Sequence, residues 1–559
     1  MFEPKQPFAN FRRVMASLLT MTIALGPTVA PAFASSAKPE TKQKVVAHRP
    51  ATATPIQYLV VIFNENVSFD HYFGTYPNAL NPPFDNKFTA KANTPTVNGL
   101  SGALLVHNPN LNPANGTGAA NPYRLDVTQA ATADQDHDYT PEQQAFDSGL
   151  MDLFPLNTGT AGPPPGGGGI NSTNGLVMSY FDGNTVTALW NYAQNFVLSD
   201  NSYGSTFGPS TVGLMNLMAG QTNGVVAYLN GTGSFVPDGN GGYTNIDDPD
   251  PVGDVCSSPT RNQAQMGGLT IGDLLNNAGV TWGAFMGGFN LSIQNPNGTS
   301  GCARSTKSNI TGETEEDYIP HHSLTSYWPS IANLTHARPC GEAYGTAGCA
   351  NHNYDVLDFY TAVSTGQQPA VSFIKAQAYQ DAHPGYSDPI DEQESVVNII
   401  NFLQNPANNP NWNSTAVVIM YDDSDGWYDH QMGPIVNTSN GPGDALTAPG
   451  FCGTQAPSLA GISGPSALGR CGYGPRLPML VISPYAKDNF VDHTVTDQSS
   501  IIHFIEDNWL GGQRIGGGSF DAIANSIVQD FDFSKLRTNG TLCLNPITGE
   551  KQKASLCGL

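Results

Sequence analysis

Two short apolar runs, each broken off by acidic residues, constrain this chain more than anything else in it. Tyr58-Leu59-Val60-Val61-Ile62-Phe63 leads directly into Asn64-Glu65-Asn66, and Ala416-Val417-Val418-Ile419-Met420-Tyr421 leads into Asp422-Asp423. Continuous β-branched runs without polar alternation read as strands covered on both faces, the pattern of a parallel sheet. In open α/β sheets, ligands bind beyond the carboxyl ends of such strands. Hard oxygen donors at two such ends, far apart in sequence, point to a divalent metal site in a hydrolase.

The rest of the chain supplies partners for these strands. Apolar segments at 195–199, 280–286, 371–377 and 478–483 alternate with helical patterns at 185–194, 270–278, 354–363, 391–404 and 498–510, and a further helix is expected at 143–153. Gly279 is a good stop for the helix before it, and Val396, Val397, Ile400 and Leu403 form one apolar face. Such alternation predicts an α/β fold, a mostly parallel sheet with helices on both faces. Loop-rich stretches at 77–125, 156–175, 229–268 and 290–350 are expected as long insertions around the rim. The 559 residues then form one elaborated catalytic domain, 55–535, with a C-terminal tail at 536–559.

The N-terminus predicts export. Arg12 and Arg13 precede an apolar stretch, Val14 to Leu25, too short to span a bilayer, and Ala32-Phe33-Ala34 is a small-x-small cleavage site. Residues 1–34 read as a signal peptide and 35–54 as a disordered Lys/Pro/Thr linker. A secreted or periplasmic protein can oxidise its eight cysteines. Cys340/Cys349 and Cys452/Cys471 are close pairs, and Cys543/Cys557 could staple the tail, leaving Cys256 and Cys302. Spacing does not derive the connectivity. A formal charge of −23 argues against a nucleic-acid partner, and no later stretch is long and apolar enough for an integral membrane span.

A third element is Phe207-Gly208-Pro209-Ser210-Thr211 ahead of a helix at 212–219. It presents a hydroxyl where backbone N–H groups favour an anion, and a metal would make that hydroxyl a nucleophile. Histidines at 137, 321, 322, 383 and 430 sit in polar turns, where imidazoles bind phosphoryl oxygens or protonate a leaving alkoxide. Taken singly, each feature has a plainer reading: an acidic pair as a turn, Ser210 as a helix cap, a loop histidine as inert.

Together these residues carry a resemblance. Asn64-Glu65-Asn66-Val67-Ser68-Phe69-Asp70-His71-Tyr72-Phe73-Gly74 resembles the opening motif of the bacterial phosphoesterase family, which holds the non-haemolytic-type phospholipases C and related secreted acid phosphatases. Further blocks are similar in order: Asp136-His137 with Gly149 to Asp152, Gly208-Pro209-Ser210 to Gly220, Pro320-His321-His322, His383-Pro384-Gly385, Tyr421-Asp422-Asp423 to Asp429-His430, and Arg476 to Tyr485. The resemblance implies an alkaline-phosphatase-like core and catalysis through a phospho-enzyme. It implies Ser210 as nucleophile and Glu65, Asn66, Asp422, Asp423 and Ser210 as ligands of a divalent metal ion of unknown identity. It implies His137, His321, His322 and His383 as phosphoryl-binding or proton-transferring groups. The expected partner is a phosphate ester, either a small molecule or a phospholipid headgroup.

Phospholipases C usually carry Thr and Glu where this chain has Ser210 and Asp423, which is closer to the acid phosphatase branch. The favoured expectation is therefore an acid-phosphatase-like phosphomonoesterase, with a phospholipase C-type phosphodiesterase as the alternative. Two other readings stand beside it. Ser257-Ser258-Pro259-Thr260-Arg261 fits the short sulfatase pattern but lies out of order relative to the acids. A non-enzymatic surface binding protein would suit the low charge, but should have lost some of the acids or the hydroxyl.

Overall fold

The computed structural model describes residues 51–162, 169–454, 457, 459–537 and 540–559. The expected signal peptide, the linker as far as residue 50, and the Pro/Gly run at 163–168 lie outside the described residues. Where the linker was expected to continue, Ala53 N and Thr54 N donate to the backbone and side-chain oxygens of Asn508.

Nine strands form the central sheet. They are β1 (Tyr58–Asn64), β2 (Val197–Tyr203), β3 (Trp282–Met286), β4 (Asn353–Asp355), β5 (Val371–Lys375), β6 (Thr415–Tyr421), β7 (Arg476–Ile482), β8 (Phe490–Asp492) and β9 (Thr496–Asp497). The order is β4-β3-β5-β1-β6-β7-β2-β8, with β9 also on β2. β7 runs antiparallel to both its neighbours, and every other pairing is parallel. Every residue of β1, β6 and β7 is buried, so both faces are covered, as their unbroken apolar sequence requires. Each aliphatic side chain taken from water there contributes about 1.5–3 kcal/mol.

Helices α1 (Phe69–Phe73), α2 (Tyr139–Phe146), α3 (Thr187–Ala193), α4 (Ser210–Ala219), α5 (Ile271–Ala278), α6 (Val356–Ser364), α7 (Pro389–Gln404) and α8 (Ser500–Trp509) flank this sheet. α4 packs against α5 and α8, and α3 packs against α7. Local chemistry sets their ends. Thr270 and Asp273 form a reciprocal cap on α5, and Gly279 closes it in the left-handed region. Asp388 caps the first turn of α7, with Pro389 as its first residue. The helix expected at 143–153 is displaced to 139–146, because Asp147, Ser148 and Gly149 all take positive φ and break it. Two short edge strands, β4 and β8, were not expected. Small hairpins, such as Phe235–Pro237 with Tyr243–Asn245, occupy part of the 229–268 insertion.

Four disulfides join Cys256–Cys302, Cys340–Cys349, Cys452–Cys471 and Cys543–Cys557. The last closes the tail, which Gln393, Asn401 and Gln404 of α7 hold by donating to the carbonyls of Ile547, Leu544 and Leu542. Replacing Cys543 and Cys557 by serine should lower stability by about 3 kcal/mol, the expectation for a loop of this size. The urea midpoint reads this directly, and an unmoved midpoint would show that the α7 contacts alone secure the tail.

Candidate active site

The register of the sheet builds the site. Asn64 pairs with Tyr421, so Glu65 and Asp422 leave adjacent strands side by side. Ile62 pairs with Ile374, which brings Lys375 to the end of β5 beside them. Asn66 turns the chain with φ 58, and its backbone N–H donates to Asp422 Oδ1 at 3.0 Å. Asp423 N donates to the same oxygen at 2.8 Å. α4 reaches this corner because Gly213 has no side chain; a Cβ there would collide with the carbonyl oxygen of Asp422.

Ser210 therefore begins α4 against the acids. Its Oγ lies 2.8 Å from Glu65 Oε2, 3.2 Å from Asp423 Oδ2 and 3.5 Å from Asn66 Oδ1. Ser210, Glu65, Asn66, Asp422 and Asp423 are all buried. Behind them Lys375 Nζ forms ion pairs with Glu65 Oε1 and, at 3.0 Å, with Asp422 Oδ2. Burial opposes the charge on Lys375, but Asp422 and Glu65 outweigh it and hold its pKa above the usual value. Burial, with the charge of Glu65, pushes Asp422 well up, and burial pushes Asp423 up to about 8. The donor set is all oxygen, with three carboxyl groups, Glu65, Asp422 and Asp423, beside the Asn66 amide and the Ser210 hydroxyl; a bound divalent cation would relieve the crowding of the acids, and the residues present fit such an ion.

The histidines gather above the hydroxyl. His137 Nε2 lies 3.4 Å from Asn66 Nδ2, and its ring centroid is 6.0 Å from that of His383. Burial works against charge on His137, yet the carboxylates of Asp423, Asp425 and Asp134 prevail and its pKa is well raised. His322 Nδ1 lies 3.2 Å from Glu65 Oε1. Burial and the neighbouring His321 and Lys375 charges keep His322 neutral, its pKa well below the usual value. His321 Nδ1 faces Asp250 Oδ1 at 3.6 Å. All four histidines line a cavity of about 510 Å³ whose wall also carries Asp134, Asp248, Asp250, Arg261, Glu315, Glu316 and Tyr386. A cavity of about 640 Å³ lined by Lys91, Lys487, Lys535 and Arg537 lies past the other end of β7, away from these groups.

The structure thus brings together the residues that the resemblance assigns to the site: Glu65, Asn66, Ser210, Asp422, Asp423 and His137, His321, His322 and His383. Other candidates go elsewhere. His430 bonds Asp70 at 2.6 Å beside Arg476, in a separate ion network. Ser257 donates to the carbonyl of Pro251 and makes no contact with the Ser210 cluster. In the 229–268 insertion, Asp247, Asp248, Asp250 and Asp254 bond to four different residues, Ser234, Thr211, Ser258 and His336, and Asp248 and Asp250 stay on the wall of the site cavity.

Three acids or bases were missed by sequence reasoning. Lys375 reads there only as the polar end of a strand. Asp381 joins Glu65 and His322 in a buried group whose ligand atoms all lie within 4.8 Å of one another. Glu142 of α2 accepts from Gly208 N at 3.1 Å and Ser424 Oγ at 2.7 Å, tying the turn before Ser210 to the loop after Asp423. Burial and the Asp423 charge push Glu142 up to about 8. An acid on the buried side of a helix was the available signal.

Known proteins are similar to this chain over most of its length. Phospholipase C B of Mycobacterium tuberculosis (strain CDC 1551 / Oshkosh) is 25% identical, over 86% of this chain and 79% of its own. The non-hemolytic phospholipase C of Pseudomonas aeruginosa is also 25% identical, over 86% of this chain and 58% of its own. The solved structure of murine ectonucleotide pyrophosphatase / phosphodiesterase 5 matches 62% of this chain and 95% of its own at 13% identity, with a TM-score of 0.29, too loose for a structural comparison. The Phosphoesterase family matches residues 56–510, strands, acids, hydroxyl and histidines included. The chain belongs to the Phosphoesterase family, as a hydrolase of phosphate esters.

Proposed function

We propose that this protein is a secreted, metal-dependent phosphodiesterase that cleaves a phospholipid headgroup ester in the manner of a phospholipase C. The observation that carries the reading is the buried Ser210 hydroxyl among Glu65, Asn66 and Asp423, beneath a cavity lined by four histidines and five carboxylates. Ser210 Oγ attacks phosphorus and gives its proton to Glu65 or Asp423. His137, whose Nδ1 faces the carboxylates of Asp425 and Asp134, protonates the departing oxygen. Water then attacks phosphorus and the bond to Ser210 Oγ breaks: the now neutral His137 takes the water's proton, and Glu65 or Asp423 returns to Oγ the proton it had accepted. Glu65, Asn66, Asp422, Asp423 and Ser210 would hold the divalent ion, with Asp422 also accepting from the backbone N–H groups of Asn66 and Asp423. When bound, that ion lowers the pKa of the hydroxyl and offsets phosphoryl charge.

The phospholipase C names of the relatives favour the diester over the monoester expected from Ser210 and Asp423, and so does the acidic wall. A diester brings one negative charge to those carboxylates and a monoester brings two. Asp134, Glu315, Glu316 and Tyr386 also suit a cationic headgroup. The four disulfides and the absence, among the described residues, of any helix long and apolar enough to cross a membrane are compatible with export.

Purified protein should turn over p-nitrophenyl phosphorylcholine faster than p-nitrophenyl phosphate between pH 5 and 8. The opposite preference, strongest in acid, would restore the acid phosphatase reading. Dialysis against a chelator should abolish turnover and lower the melting temperature, and readded divalent metal should restore both. Full activity and an unmoved melting temperature after complete metal removal would overturn the metal assignment.

A further inference from the structure

The N-terminus of α4 already holds an anion of the protein's own. Its N-cap, Pro209, offers no side-chain acceptor. The first turn is capped instead from the 229–268 insertion: Thr211 N donates to Asp248 Oδ1 at 2.8 Å. This N–H belongs to the residue after Ser210, at the helix end where an incoming phosphoryl group would gain most from backbone donors. Asp248 is half-buried and lines the same cavity as His137 and His321.

We propose that Asp248 sets the charge selectivity of the site. Its fixed carboxylate occupies the donor that a second phosphoryl charge would need and repels that charge, so the site takes singly charged diesters and discriminates against doubly charged monoesters. The inference rests on the phosphoesterase reading of the Ser210 site. It goes beyond that reading by naming one residue outside the family motifs as the selector. The asymmetry is electrostatic: one unit charge acts on two charges in the monoester and on one in the diester, at short range in a partly dry pocket.

Asp248→Asn separates cap from charge. The amide oxygen still accepts from Thr211 N, and only the negative charge is lost. The substrates are methyl p-nitrophenyl phosphate, a monoanion without a cationic headgroup, and p-nitrophenyl phosphate, a dianion at about pH 8. For the holoenzyme, the ratio of kcat/KM for diester over monoester should fall about tenfold or more in the variant, chiefly through a gain on the monoester. An unchanged ratio, including an equal loss on both, would mean that Asp248 is only a cap and would overturn the proposal. Circular dichroism checks that the variant folds. Inhibition of the wild type gives an answer independent of any variant: dimethyl phosphate should bind at least as tightly as inorganic phosphate, and a preference of tenfold or more for inorganic phosphate would overturn it. Turnover of neither ester by metal-loaded wild type would sink the reading of the site itself, a failure distinct from an unmoved ratio.

Discussion

Ser210→Ala should reduce kcat by at least about a thousandfold, since nothing else at the α4 terminus offers a nucleophilic oxygen to the acids. The fold should survive. Alanine is a good first residue for a helix, and the hydroxyl is small and already surrounded. Glu65 and Asp423 lose a donor and the metal loses one proposed ligand, so a modest drop in melting temperature and weaker metal binding are expected. Trapping labelled phosphate on the wild-type chain and finding it on Ser210 would complete the case. A variant that keeps a tenth of the activity would remove Ser210 from the chemistry.

Lys375→Met should cost about 3–5 kcal/mol of stability in the metal-free protein, because it leaves two buried carboxylates facing each other without their shared cation. Lys375 is itself buried, so solvent does little to screen the loss. Turnover should fall with it, since Glu65 and Asp422 are both displaced. Lys375→Arg should not rescue, because the compact ammonium fits between the two acids and a planar fork does not. Urea unfolding in the presence of chelator measures the effect. A midpoint within about 0.5 kcal/mol of wild type would show that the two acids do not depend on the ammonium.

The strong parts of this site were legible because they coincide with strong parts of the fold. β1 and β6 are fully buried, so their sequences are unbroken apolar runs, and the acids that end them stand out. Ser210 was visible through its Gly-Pro turn and the helix after it. The histidines gained meaning only as a set, through the order of motifs. Lys375 and Glu142 stayed hidden for the opposite reason. Each is a charged residue on an otherwise ordinary element, and its partner lies far away in sequence: Asp422 for Lys375, Gly208 for Glu142. β4 and β8 are three-residue edge strands with polar residues at one or both ends, too short to leave a periodic signature. The 139–146 helix was misplaced because its end is set by three left-handed residues rather than by proline.

The central position of β1 has a consequence for how the chain reaches this state. Its two neighbours in the sheet, β5 and β6, are made roughly three hundred residues later. During synthesis at about 5–20 residues per second, the apolar segment at Tyr58–Asn64 waits on the order of 15–60 s with both edges unpaired. Folding dominated by such distant pairings is slow and exposed to aggregation. The strand that presents Glu65 and Asn66 is thus also the segment most in need of a holding partner until the last third of the chain arrives.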